Sequence, residues 1–314
     1  MKKIIVLLIL LVIILALFLI PATLHETVQV KAPLFNTYTA LMKPEKWEQW
    51  RADLRKIAQD DSNSVHIRGK AGQFVIATRN AELKVNLAGD IFHVEDGLTG
   101  APVAYDFAII PNKDPAIVSV SVYKETNAFH YLLNGIRKYS FDDTHISDLK
   151  DFFETDSLRY GYAIHKTKVP DNDLIEIKKE VLTKDKFQAA AKMFTSLTQY
   201  AQKEGAKQMQ PAIAQFLPRG KDSVQVNVGL FIDKKITPTH EIAFVNMPKG
   251  GPLYTVSFRG RFDRRYKAYD ALHQYFTDHG YQQAILPFES YPDNKLPVSD
   301  TERVNIRLNF ASYF

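Results

Sequence analysis

Hydrophobic and polar positions change period several times along this chain. Lys2 and Lys3 precede an unbroken apolar run from Ile4 to Ile20, which Pro21 closes. As a helix, about 17 residues reach roughly 25 Å, just long enough to span a bilayer with help from the flanks. The run therefore predicts an uncleaved anchor over residues 1–22. A cleavable signal peptide is the competing reading, but its apolar core is shorter and needs small residues at the cleavage site, which Pro21-Ala-Thr-Leu24 does not supply. Lys2 and Lys3 would stay cytoplasmic. A single-pass protein of a bacterial inner membrane is expected, with the rest on the periplasmic or extracellular side.

Beyond the run, His25 to Val30 alternates like a strand, and Leu34 to Leu41 has helical spacing, followed by Pro44, Trp47 and Trp50. Short strands are predicted at Val65–Gly69, Phe74–Thr78, Leu83–Leu87, Ile91–Val94, Val103–Ile110 and Ile117–Tyr123. Turn residues separate them, among them Arg79-Asn80, Gly89-Asp90 and Asp96-Gly97. Helices follow at Ala128–Tyr139 and Thr144–Leu158, the second with Ile146, Leu149, Phe152 and Phe153 on one face. The polar stretch Lys166 to Asn172 reads as a linker.

The remainder repeats itself. The first copy is strand Leu174–Leu182, helix Asp185–Glu204, Gly205, then strands Ala212–Leu217 and Val224–Ile232. The second is strand Leu253–Phe258, helix Arg264–His279, Gly280, then strands Leu286–Tyr291 and Val304–Phe310. An offset of about 75 residues aligns Gly205 with Gly280, Phe216 with Tyr291 and Ala214 with Glu289. Both helices end at glycine, the expected left-handed stop. Along the last strand Val304, Ile306, Leu308 and Phe310 alternate with Arg303, Asn305, Arg307 and Asn309. The fold class expected is α+β: an N-terminal transmembrane helix, a helix-grip domain over 23–169, and a duplicated βαββ domain over 174–314.

Composition narrows the chemistry. The 314 residues carry a net charge of +5, too modest to argue for a nucleic-acid binder. There is no cysteine, which removes disulfides, thiolate catalysis and cysteine metal sites. The nine histidines form no ligand pattern, and no phosphate loop or nucleophile elbow is present. Asp60-Asp61 and Asp142-Asp143 read as turn or capping pairs. No metal, no cofactor and no catalytic residue is assigned. The basic cluster Arg259, Arg261, Arg264, Arg265 and Lys267 reads as a solvated helix start. With the chain placed outside the cytoplasm, no nucleic-acid partner is expected.

Two resemblances extend this reading. Val28-Gln-Val-Lys-Ala-Pro33, the helix after it, Trp47-Glu-Gln-Trp50 and Leu149-Lys-Asp-Phe-Phe-Glu154 resemble the SRPBCC superfamily, START-related and polyketide-cyclase-like. That resemblance implies a curved sheet around a long helix, with an apolar cavity between them; Trp47 and Trp50 read as core packing. Met247-Pro-Lys-Gly-Gly-Pro-Leu-Tyr254, Phe258-Arg-Gly260, Gly280 and Pro287-Phe-Glu-Ser-Tyr291 resemble the GyrI-like, effector-binding domain of multidrug-sensing regulators. The chain departs from that family in its last strand, which lacks the closing proline. The resemblance implies a groove for small organic molecules, often cationic and aromatic, with a buried acid. The ligand-binding residues it implies are Glu289, Tyr291, Tyr254, Phe258 and Phe216.

A carboxylate beside Tyr291 on an apolar face is costly to bury unless paired. A cationic ligand could pair it, with cation–π attraction of about 0.5–2 kcal/mol from the aromatic walls. An internal arginine, such as Arg259, Arg303 or Arg307, is the rival partner. The function expected is a membrane-anchored, non-enzymatic binder of small apolar or cationic molecules, including lipophilic cations. Hydrolysis of reactive small molecules by Glu289 and a tyrosine is the alternative. The protein partner is left open.

Overall fold

The apolar run forms helix α1 (Lys2–Leu19), and Pro21, with no amide hydrogen to continue the helix, opens strand β1 (Pro21–Val30). In this computed structural model, which describes residues 2–60, 64–79, 81–98, 102–137 and 144–313, the chain is α+β with two large antiparallel sheets. It divides into two units, Met1–Arg159 and Tyr160–Phe314. Asp61, Asn80, Tyr139 and Asp142–Asp143, named above for turns, caps and a helix end, lie outside the described residues.

The expected membrane anchor is corrected. Among the described residues no helix is long and apolar enough to cross a membrane. Within α1 the apolar stretch runs from Ile4 to Leu19, about 24 Å at 1.5 Å per residue, short of a hydrocarbon core of about 30 Å. The flank that had to lengthen it belongs to the sheet instead: β1 pairs from its first residue, Pro21↔Asn127. Phe18, near the end of α1, stacks on Phe129 with ring centroids 4.3 Å apart. The single-pass inner-membrane topology and the periplasmic or extracellular placement fall with the anchor.

In the first unit β1 is followed by α2 (Leu34–Met42), α3 (Pro44–Trp50) and α4 (Ala52–Asp60). The strands are β2 (His66–Lys70), β3 (Gln73–Ala77), β4 (Glu82–Ala88), β5 (Ile91–Asp96), β6 (Val103–Pro111) and β7 (Val118–Asn127). They form one seven-stranded meander in the order β1-β7-β6-β5-β4-β3-β2. Helices α5 (Ala128–Arg137), α6 (Ile146–Glu154) and α7 (Asp156–Tyr160) follow. The long closing helix expected over Thr144–Leu158 is broken at Thr155, whose backbone is extended (φ −122°, ψ 103°). Trp47 and Trp50 are fully buried, 4.7 Å apart, with Phe74 and Phe107 in edge contact with Trp47.

The second unit contains β8 (Ile164–Lys168), β9 (Asp173–Leu182), α8 (Lys186–Lys203), β10 (Ala212–Arg219) and β11 (Ser223–Ile232). Then come β12 (Ile242–Val245), β13 (Pro252–Arg261), α9 (Tyr266–His279), β14 (Phe288–Tyr291) and β15 (Arg303–Ala311). Lys166–Lys168, read as linker, are paired in the sheet through β8. The strand order β12-β9-β11-β10-β14-β15-β13-β8 is symmetric about the β10–β14 pair. There Ala214 lies opposite Glu289, and Ala212 opposite Tyr291. Ala214 and Glu289 are also repeat equivalents, so the pseudo-two-fold axis passes between them. Gly205 and Gly280 end the two helices with φ of +69° and +65°.

Candidate functional site

Strand parity decides which side chains of the second unit share a face. Glu289 lies opposite Leu308 on β15 and Ala214 on β10. Val256, Phe258, Ile306, Leu308 and Phe310 pack in one core with Ala190, Met193 and Leu197 of α8 and Ala268, Leu272 and Phe276 of α9. Glu289 therefore points to the helix side of the sheet, at the pseudo-axis, and is 1% exposed.

Its partner is Arg265, at the junction of the 3-10 turn Phe262–Arg264 with α9, itself 4% exposed. Arg265 Nε donates to Glu289 Oε1 at 2.5 Å, and Arg265 Nη1 donates to the Phe262 carbonyl at 3.1 Å. Tyr269 donates its hydroxyl to Oε1 at 3.1 Å, and Tyr291 donates to Oε2 at 2.5 Å. The guanidinium carbon sits 3.6 Å from the ring centroid of Phe262 and 4.7 Å from that of Tyr266. Phe262 in turn packs edge-on against Phe187 and Phe216. The cradle thus offers a cation one carboxylate, two phenols and aromatic walls, and Tyr266, 54% exposed, is the outermost of these.

The electrostatics follow from burial and charge together. Burial pushes the phenols of Tyr291 and Tyr269 well above the usual tyrosine range, and the Glu289 charge pushes them further. Burial acts to lower the pKa of Arg265, but Glu289 outweighs it and holds the value above normal. At neutral pH the phenols are donors and the guanidinium is charged. Arg265 and Tyr269 both donate to Oε1 and Tyr291 donates to Oε2, so three of the roughly four acceptor sites of the Glu289 carboxylate are taken while Arg265 is in place.

The residues implied by the effector-binding resemblance are partly brought together. Glu289 and Tyr291 are bonded, and Phe216 belongs to the aromatic group on which Arg265 stacks. Tyr254 lies at the other end of α9, stacked on Tyr281 and in contact with Tyr275 and Phe276. Phe258 is a core residue that packs over Gly260, where an added Cβ would come within 3.0 Å of its ring. Sequence reasoning missed Arg265 as the internal partner, and Tyr269 with it. The available signal was spacing: Arg265, Ala268, Tyr269, Leu272 and Phe276 form one helical stripe. The arginines expected instead are excluded by parity. Arg303 and Arg307 alternate with the helix-facing Val304, Ile306 and Leu308, and Arg259 follows the helix-facing Phe258.

No family model and no curated protein sequence matches this chain. Similar solved structures include the EcmrR chain of an EcmrR–DNA complex, 17% identical over 59% of this chain and 70% of that one, with a TM-score of 0.41. The EcmrR C-terminal domain is 21% identical over 48% of this chain and 97% of its own, with a TM-score of 0.37. A START superfamily protein from Mycobacterium smegmatis is 14% identical over 42% of this chain and 97% of its own, with a TM-score of 0.28. The expected exclusion of nucleic acid is withdrawn, because the placement outside the cytoplasm that supported it falls with the membrane anchor.

Proposed function

We propose that the second unit is a non-enzymatic receptor for small organic cations, with Arg265 holding the cation position until a ligand displaces it. The observation that carries this reading is Glu289 itself. The acid lies on the pseudo-two-fold, buried, at a position where the first repeat has Ala214. The repeat fold therefore does not need it. Burying a carboxylate and a guanidinium is costly, and such a pair adds little net stability over apolar side chains of the same size. Its surroundings suit an aromatic cation: two phenols on the carboxylate, and ring centroids 3.6 and 4.7 Å from the charge.

Titration of the full chain with tetraphenylphosphonium, followed by calorimetry, tests this. Saturable binding is expected, weakened about tenfold or more in Glu289→Gln, since a charge-assisted contact is worth about 1.5–3 kcal/mol. Equal affinity in wild type and Glu289→Gln, or no saturation, would sink the reading.

A further inference from the structure

We propose that the opposite face of the second sheet carries an independent site for a small organic anion with an apolar body, centred on Arg307. On β15, residues that alternate with Ile306 and Leu308 point away from α8 and α9. Arg307 is one of them, and its register partners are Ser257 on β13 and Ser290 on β14. The guanidinium is thus flanked by a hydroxyl on either side. It is exposed and makes no hydrogen bond or ion pair among the described residues.

The three residues line a cavity of about 840 Å³, within the range of small-molecule sites. Its floor is apolar: Phe231, Leu253 and Phe288 belong to a separate core cluster on this face. Lys168 and His165 also line it, against one acid, Asp171. An apolar floor under a free guanidinium and a second cation suits a carboxylate carried on a hydrocarbon or ring. A carboxylate would accept from the fork of Arg307 and from both serines.

The other repeat supplies the control. Its equivalent groove, about 650 Å³, has Asn227 where Arg307 stands, as the strand registers align Val228 with Leu308. There the polar groups satisfy one another. Asn227 Nδ2 donates to Gln215 at 2.7 Å, Gln225 donates to Asn227 at 2.9 Å, and Arg219 donates to Gln225 at 2.8 Å. Glu176 pairs with Lys178 at 3.3 Å. One groove is internally closed, while the other keeps an unspent cation.

Calorimetric titration of the full chain with octanoate, and with the uncharged octanamide, decides the matter. Octanoate is expected to bind at one site that Arg307→Gln weakens about tenfold or more, with octanamide weaker by a similar factor. Arg219→Gln and Glu289→Gln should leave octanoate binding unchanged, which separates this site from the Glu289 cradle. Absence of saturable octanoate binding, indifference to Arg307→Gln, or equal affinity for octanamide would each overturn the proposal. Arg307 is exposed, so its variant should fold, and a retained thermal midpoint confirms it.

Discussion

In both units an arginine is buried against carboxylate and phenol, and the two clusters differ in what holds the acid. In the first unit Arg51 is fully buried between two acids. It donates from Nη1 to Asp96 at 2.5 Å, and from Nε and Nη2 to Asp53 at 3.0 and 2.6 Å. Backbone amides hold both carboxylates as well: Leu98 donates to Asp96 and Leu54 to Asp53. Tyr105 completes the group from β6 at 3.2 Å. The cluster ties the α3–α4 corner to the end of β5, and Arg51 and both acids are each held by more than one partner. In the second unit a single acid is held by side chains alone, and the cation lies against rings rather than a second carboxylate. The first arrangement locks a corner of the fold, and the second keeps a cation in a cradle that another cation could fill.

The sharpest way to break that distinction is to remove each arginine. Arg51→Met leaves the buried Asp96 and the partly buried Asp53 without their counter-charge and should cost about 3–5 kcal/mol. Arg265→Met leaves one acid that still accepts from two phenols, and the loss should be roughly 2–3 kcal/mol. Urea unfolding measures both. Both tryptophans, Trp47 and Trp50, lie in the first unit, so tryptophan fluorescence reports that unit separately from the second. Equal losses would mean that the Arg265 pair is as structural as the Arg51 cluster. A smaller effect sharpens the comparison from the ligand side. Truncating Arg265 to Ala should raise tetraphenylphosphonium affinity about tenfold, because the resident cation no longer competes. Unchanged or weaker binding by Arg265→Ala would place the ligand elsewhere.

Several of these features are legible in the sequence, for identifiable reasons. The alternation Val304 to Phe310 assigns the helix-facing and outward residues of β15, and the repeat alignment brings Ala214 and Glu289 into equivalence before any pairing is known. The same alternation points Arg303 and Arg307 away from Glu289 and removes them as its partners. Arg265 is harder to read because a basic run at a helix start is normally solvated. Its burial depends on the 3-10 turn that sets Phe262 beneath it, a tertiary arrangement with no local signature. Helices α3 and α4 are too short for periodicity to speak, and β8 is a polar edge strand that reads as linker. The apolar run misled because hydropathy counts residues, whereas spanning depends on where the helix stops, and β1 begins at Pro21.

The smallest expected effects are in pH, and they have opposite signs for the two clusters. Burial pushes Asp53 up, but the hydrogen bond and charge of Arg51 outweigh it and leave its carboxyl below the normal range. A lowered folded pKa contributes stability above the unfolded value of about 3.9, lost as pH falls through the folded value. Tyr269 and Tyr291 are raised, chiefly by burial, so their contribution is complete below the unfolded value of about 10 and is lost as pH rises past it. The Arg51 cluster has one such phenol, Tyr105, against two beside Glu289. Asp53→Asn should therefore flatten the acid limb of the tryptophan-detected midpoint. Tyr291→Phe should flatten the alkaline limb of the second unit, followed by amide NMR signals from β14 and β15. An alkaline limb as steep in Tyr291→Phe as in wild type would mean that the phenol ionises in the folded state without resistance. The carboxylate of Glu289 would then not be held as described, and the cradle would lose one of its two neutral donors.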